Sequence, residues 1–345
     1  MTIRHRTDIR SERVHLSARI LSGSALALSL VLTACGGGGG SSSSGSGGGS
    51  SGGSTPTGTV SVYPRFAYVA NDNDNSVSVY AVNATTGRLT FTGKVSAGVN
   101  PASVTVDPNG QYAYVANYGS ATVSQYTIGT NGSLTPMTPA TVSAGTNPAS
   151  ITIDPSGPYA YVTNAGSATV SQYTIGATGS LTPMATPTVN TGTYPVSVTV
   201  DPSGQYAYVA NVGNTVSQYT IGTNGSLTPM STPTVSAGTE PWSVIVDPTG
   251  QYAYVANYAS NTVSQYTIGT NGSLTPMTPS TVSAGTGPAS VTVDPNGQYA
   301  YVANYSGNTV SQYTIGTNGS LTPMATTTVS AGTNPATITA TGSYQ

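Results

Sequence analysis

Residues 101–147 read "PASVTVDPNGQYAYVANYGSATVSQYTIGTNGSLTPMTPATVSAGTN", and the rest of the chain beyond residue 60 copies this stretch closely. Close copies begin at Pro148, Pro195, Pro241 and Pro288, a stub begins at Pro335, and the spacing is 46 or 47 residues throughout. A divergent copy precedes them, with "FAYVAN" (66–71) in place of "YAYVAN" (112–117). Within one copy "SVTV" (103–106) is β-branched and suits a pleated strand. "DPNG" (107–110) has the signature of a type I turn, with Asp first, Pro fixing φ second and Gly closing it. "YAYVAN" alternates Tyr112, Tyr114 and Ala116 on one face with Ala113 and Val115 on the other. "TVSQYTI" (122–128) is a third strand, "GTNG" (129–132) carries the Asn-Gly hairpin signal, and "SLTPM" (133–137) is a fourth strand whose proline suits an outer edge.

Four antiparallel strands repeated at this period predict an all-β chain, a β-propeller of four-stranded blades. A stacked solenoid would need atypical polar caps at its ends. Here the end is instead a spare first strand, "PATITA" (335–340), while the first copy has only a poor one, "VSVYP" (60–64). The expectation is a ring closed by the C-terminal strand. "YVAN" or "YVTN" units starting at residues 68, 114, 161, 208, 254 and 301 give six blades, and the two candidates for one strand slot leave room for a seventh, partial one. These motifs, with "DP.G" before them and "NTVSQYTI" after, resemble the YVTN-repeat β-propellers of the lactonase-like group across about residues 60–341. The resemblance implies the propeller fold. One branch of that group hydrolyses 6-phosphogluconolactone, and many other members are surface or secreted proteins.

Before the repeats, residues 1–35 read as a targeting segment. Five arginines precede the apolar run "ILSGSALALSLVL" (20–32), which ends in "LTAC". That ending resembles the lipobox of bacterial lipoproteins, so Cys35, the only cysteine, would be lipidated and become the first mature residue. The implied location is the cell envelope, as an outer-membrane lipoprotein held through a lipid anchor on the periplasmic or outer side. Residues 36–58 form a Gly/Ser-rich linker, whose "GGSSG" lacks the strand–turn–helix setting of a nucleophile elbow. A coil of this kind spans roughly 25 Å. The propeller then occupies 59–345.

Beyond Cys35 the chain keeps three cations, Arg65, Arg88 and Lys94, against eight acids. Nucleic-acid binding, which needs clustered Lys and Arg, is excluded. Both histidines, His5 and His15, lie in the targeting segment, so Ser/His/Asp and Cys/His triads are excluded beyond it. Carry-over of a sugar-phosphate lactonase site lacks the cations it needs, and the expectation is a chain that is not an enzyme. No cofactor is expected. "DNDNS" (72–76) resembles the opening of a calcium loop, which makes Asp72 and Asp74 weak candidates for Ca2+, but the loop's glycine and closing glutamate are missing. The recurring Asp107, Asp154, Asp201, Asp247 and Asp294 each open an Asp-Pro-x-Gly turn and read as turn residues.

The copies also serve as controls for one another. The turns after the first and third strands hardly vary, whereas the connections on the opposite face do. "GTEPWSVIVDP" (238–248) brings the only tryptophan, Trp242, and the only glutamate beyond the targeting segment, Glu240. With Tyr118, Tyr194, Tyr258 and Tyr305 they predict an asymmetric recess on one face, suited to a neutral polar partner such as a glycan or a protein loop. The sequence reading is a tethered, monomeric binding module. A lactonase-like hydrolase and a ligand-free surface spacer are its alternatives.

Overall fold

The computed structural model describes residues 65–83 and 86–340; the targeting segment, Cys35 and the linker fall outside them. The first blade is β1 (Arg65–Asn71), β2 (Ser76–Val82) and β3 (Leu89–Ser96). The second is β4 (Pro101–Val106), β5 (Tyr112–Asn117), β6 (Thr122–Ile128) and β7 (Leu134–Ser143). The third is β8 (Pro148–Ile153), β9 (Tyr159–Asn164), β10 (Thr169–Ile175) and β11 (Leu181–Asn190), and the fourth is β12 (Pro195–Val200), β13 (Tyr206–Asn211), β14 (Thr215–Ile221) and β15 (Leu227–Ser236). The fifth holds β16 (Pro241–Val246), β17 (Tyr252–Asn257), β18 (Thr262–Ile268) and β19 (Leu274–Ser283), and the sixth β20 (Pro288–Val293), β21 (Tyr299–Asn304), β22 (Thr309–Ile315) and β23 (Leu321–Ser330). Every blade is an antiparallel meander in chain order. No helix occurs among the described residues. The protein is a six-bladed all-β propeller ring.

The outer strand differs from its sequence reading. It runs for 10 residues, through the proline-containing connection. Its ladder with β6 is broken: Ser124 pairs with Thr141 and Tyr126 with Pro136. Opposite the break, Gln125 donates from Nε2 to the Pro139 carbonyl (3.1 Å), so one buried amide holds the bulge.

Blades are fastened to each other by three bonds that recur around the ring. Between the third and fourth, the Tyr161 hydroxyl donates to the Gly225 carbonyl (2.7 Å) and the Leu227 N–H to Gln172 Oε1 (2.6 Å). Tyr219 donates back to the Asn190 carbonyl (2.7 Å). Gly225 has φ +79°, and a Cβ there would lie 2.3 Å from the Tyr159 ring, so turn and close approach both require glycine. In the second to fifth blades the tyrosines at the Tyr161 and Tyr219 positions are therefore core, whereas those at the Tyr159 position are half-buried. Burial raises the hydroxyl pKa of Tyr173, Tyr266 and Tyr313 to about 12, against a smaller opposing effect of neighbouring serines.

One seam breaks the pattern. Residues 335–340 take the next inner position, since the Ile338 N–H donates to Ser290 Oγ (3.2 Å) as Val291 does to Ser243 (3.3 Å). They form no ladder with β1 among the described residues, and the alternative strand at 60–64 lies outside them. Farther out, Leu89 is 43% exposed where its five counterparts are 6–8% exposed, and Tyr299 is 39% exposed. Gly87 has no atom within 4 Å of a Cβ, where Gly225 meets a ring.

Candidate functional site: the mouth of the central funnel

The inner strands converge on a funnel of about 230 Å³, whose wall includes the small residues Ala102, Ala149, Ala289 and Ala336. Trp242 takes the place of that alanine in the fifth blade and Val196 in the fourth, so one indole projects where the neighbouring inner strands present alanine or valine. The next residue of each strand, Ser103, Ser150, Ser197, Ser243 and Ser290, also lines it, where the ladder is bulged, as between Pro101 and Ser103. Sequence reading missed these serines because "SVTV" registered only as a strand; the two-residue alternation that puts Val104 in the core puts Ser103 in the funnel. Ser197 Oγ accepts the Val244 N–H of the next strand (3.2 Å) and keeps a proton to donate.

The expected aromatic residues gather in two groups around the mouth. Trp242 stacks on Tyr258 with ring centroids 4.2 Å apart and 13° between planes, and Tyr305 lies 6.4 Å beyond Tyr258 at 55°. In the second group the hydroxyls of Tyr118 and Tyr194 meet at 2.8 Å. Burial raises the Tyr194 hydroxyl pKa, and the bond to Tyr118 adds to the rise. The Trp242 indole nitrogen is buried and has no hydrogen-bond partner among the described residues. Buried indole N–H groups usually find one.

Backbone conformation separates this cluster from neutral loop drift. The residue before each inner strand is left-handed: Asn100 (φ 51°), Asn147 (φ 55°), Gly287 (φ 63°) and Asn334 (φ 53°). Asn and Gly adopt that region readily. Tyr194 (φ 57°) and Glu240 (φ 55°) adopt it too, although it costs ordinary side chains roughly 1 kcal/mol. Drift without a use for these side chains has a standing penalty against it. Glu240 is half-buried, and its main-chain N–H donates to Asn214 Oδ1 (2.9 Å).

Asp72 opens the first blade's connection on this face, at the place that Val212 holds in the fourth blade; Val212 lines the funnel. Asp72 is buried, and its Oδ2 has no partner among the described residues. Desolvation raises its carboxyl pKa, opposed by a hydrogen bond from Asn100. Asp74 points to other work. It is exposed, and hydrogen bonds from Lys94 (2.7 Å) and Ser76 (2.9 Å) hold its carboxyl below the usual range. Among the described residues no three or more His, Cys, Asp or Glu side chains converge. The five turn aspartates cap their own turns: Asp107 Oδ1 accepts the N–H groups of Gln111 (2.7 Å) and Tyr112 (2.6 Å).

The funnel and its rim therefore offer stacking surface, hydroxyls and one unpaired indole N–H, with the desolvated carboxyl of Asp72 on the same face in the first blade. Of the side chains described, Lys94 is ion-paired to Asp74 and Arg88 is exposed on the first blade.

None of the curated proteins matches the chain. Solved structures do. A Bacteroides fragilis protein provisionally named a 6-phosphogluconolactonase superposes with TM-score 0.71 at 21% identity, over 81% of this chain and 84% of that one. The periplasmic gluconolactonase of Pseudomonas aeruginosa gives 0.66 at 19% identity, over 79% and 83%. Kuenenia stuttgartiensis hydrazine synthase gives 0.63 at 19%, over 79% and 86%. At these identities the likeness is one of fold. The family described as "Lactonase, 7-bladed beta-propeller" matches over residues 59–211, 212–289 and 263–343. Its seven blades compare with six among the described residues here, followed by one further inner segment at the seam. The chain belongs to this lactonase family of β-propellers.

Proposed function

We propose that the funnel binds a neutral sugar lactone and opens its ring. The observation that carries this reading is the cation-poor, aromatic mouth of the funnel with the Trp242 N–H left unpaired. A pyranose-sized lactone presents apolar C–H faces to aromatic rings and hydroxyls and a carbonyl to donors, which fits the residues present. The family and the gluconolactonase among the fold's relatives favour lactone chemistry over a purely binding role. The scarcity of cations favours an unphosphorylated substrate, because a phosphate wants Arg or Lys. In the hydrolytic step Asp72, kept desolvated, accepts a proton from the attacking water. The carbonyl carbon gains that oxygen, its bond to the ring oxygen breaks, and the released hydroxyl takes a proton. Trp242 and Tyr258 position the ring. An anchor at Cys35 would display this site at the cell envelope.

The test compares glucono-δ-lactone with its 6-phosphate by acid release above the spontaneous rate. The neutral substrate is expected to turn over faster. Asp72→Asn should lower kcat with KM little changed, and Trp242→Ala should raise KM. Saturable binding without turnover would return the chain to the binding-module reading, with a glycan or protein loop in the funnel. Preference for the phosphate ester would refute the neutral-substrate assignment.

A further inference from the structure

On the opposite face a second cavity, of about 640 Å³, opens between the second and third blades. One residue sets its lining apart from the equivalent turns. The third blade has Pro158 where the second, fourth, fifth and sixth have Gln111, Gln205, Gln251 and Gln298. In those four blades the turn aspartate accepts two main-chain N–H groups on Oδ1, as Asp201 does from Gln205 (2.9 Å) and Tyr206 (2.7 Å), and one more on Oδ2, from Ser203 (3.1 Å). Proline has no N–H to give. The next N–H, of Tyr159, turns to the Gly157 carbonyl instead (2.9 Å). Asp154 keeps only Ser156, whose N–H and hydroxyl both reach Oδ1 at 2.8 Å. Its Oδ2 has no protein partner among the described residues, yet Asp154 is only 2% exposed and lines the cavity.

The surroundings select the ligand. Around Asp154 stand Tyr112, Ile153, Pro155 and Pro158, with Asp107 across the cleft, so apolar walls lead to a negative end. We propose that this cleft binds a primary ammonium carried on an alkyl chain, as in a small aliphatic amine or a lysine side chain. The ammonium brings three donors to Asp154 Oδ2, and the alkyl stem lies along Pro158, Ile153 and the Tyr112 ring. A divalent metal fits poorly. Calcium takes six to eight oxygens, and Asp107 already spends both of its own on the main-chain N–H groups of Asn109, Gln111 and Tyr112.

Calorimetric titration with n-pentylammonium, n-pentanol, CaCl2 and a lysine-containing tripeptide tests the assignment. Saturable binding of pentylammonium, with none of pentanol, is expected. Asp154→Asn should weaken it at least tenfold. Pro158→Gln, which restores the sequence of the other four turns and so keeps the blade folded, should abolish it. Trp242→Ala, in the funnel, should leave it unchanged. Equal binding of the tripeptide points to a protein tail as the source, and binding of pentylammonium alone to a small amine. The proposal is overturned by absent saturation, by affinity unaltered in Pro158→Gln, or by calcium binding in place of the amine.

Discussion

Removing one hydroxyl at two equivalent positions measures what fastens the blades together. Tyr161 and Tyr301 occupy the same place in the third and sixth blades. Tyr161 is fully buried and donates to the Gly225 carbonyl at 2.7 Å. Tyr301 faces the seam, is half-buried, and has no bond from its hydroxyl among the described residues. Tyr161→Phe loses a net hydrogen-bond contribution of about 1 kcal/mol and leaves a buried carbonyl without its donor, for a total near 2 kcal/mol. Tyr301→Phe removes nothing comparable and should stay within about 0.5 kcal/mol of the parent. At roughly 2–4 °C per kcal/mol for a large domain, Tm should fall by about 4–8 °C in the first variant and by about 2 °C at most in the second. Urea unfolding followed by far-UV circular dichroism, with the two variants fitted to a common slope, gives the comparison. Equal losses would mean that the sixth and first blades are joined as tightly as the others, and the reasoning about the seam would fail.

The same seam predicts opposite fates for two glycines: Gly225→Ala drives a Cβ to 2.3 Å from the Tyr159 ring and should prevent stable folding, while Gly87→Ala meets only its φ of +68° and should cost about 1 kcal/mol. Thermal melts of the two variants decide it. Glu240→Asn should stabilise the protein by up to about 1 kcal/mol by suiting the left-handed backbone, and weaken funnel binding, a trade measurable by melts and ligand titration together. Asp72→Asn should stabilise at neutral pH. Burial raises the native carboxyl pKa, so the native state binds the proton more tightly than the unfolded chain. Stability is therefore lost as pH rises from the ordinary carboxylate value through the native one. The variant's advantage should vanish in unfolding titrations below about pH 4, and an advantage independent of pH would contradict the assignment.

What the sequence revealed and what it hid divide along physical lines. The blades were legible because alternation and turn chemistry are local: "YAYVAN" alternates, and the Asp of "DPNG" accepts its own turn's N–H groups. The outer strand was misjudged in length, because its prolines argue against pairing. Only the fold shows that the Gln125 amide bridges the resulting bulge. The rim was legible through differences between copies, which is how Trp242, Glu240 and the four tyrosines came forward. That Tyr118 and Tyr194 bond across a blade could not be seen, since the contact joins residues 76 apart. The burial of Asp72 and the freed oxygen of Asp154 likewise depend on neighbouring chain, although Pro158 in a glutamine position was visible all along. The seam depends on how a whole ring closes, and no short stretch encodes that.

The account rests on a neutral sugar lactone reaching the Trp242 side of the funnel. Its single tryptophan makes the direct measurement simple: the fluorescence of Trp242, excited apart from tyrosine, during titration with glucono-δ-lactone and with its 6-phosphate. A saturable shift with the neutral lactone, weaker with the phosphate and reduced in Tyr258→Ala, is the predicted result. An unchanged spectrum with the neutral lactone at saturating concentration would mean that Trp242 only fills space, and the proposed function would fall with it.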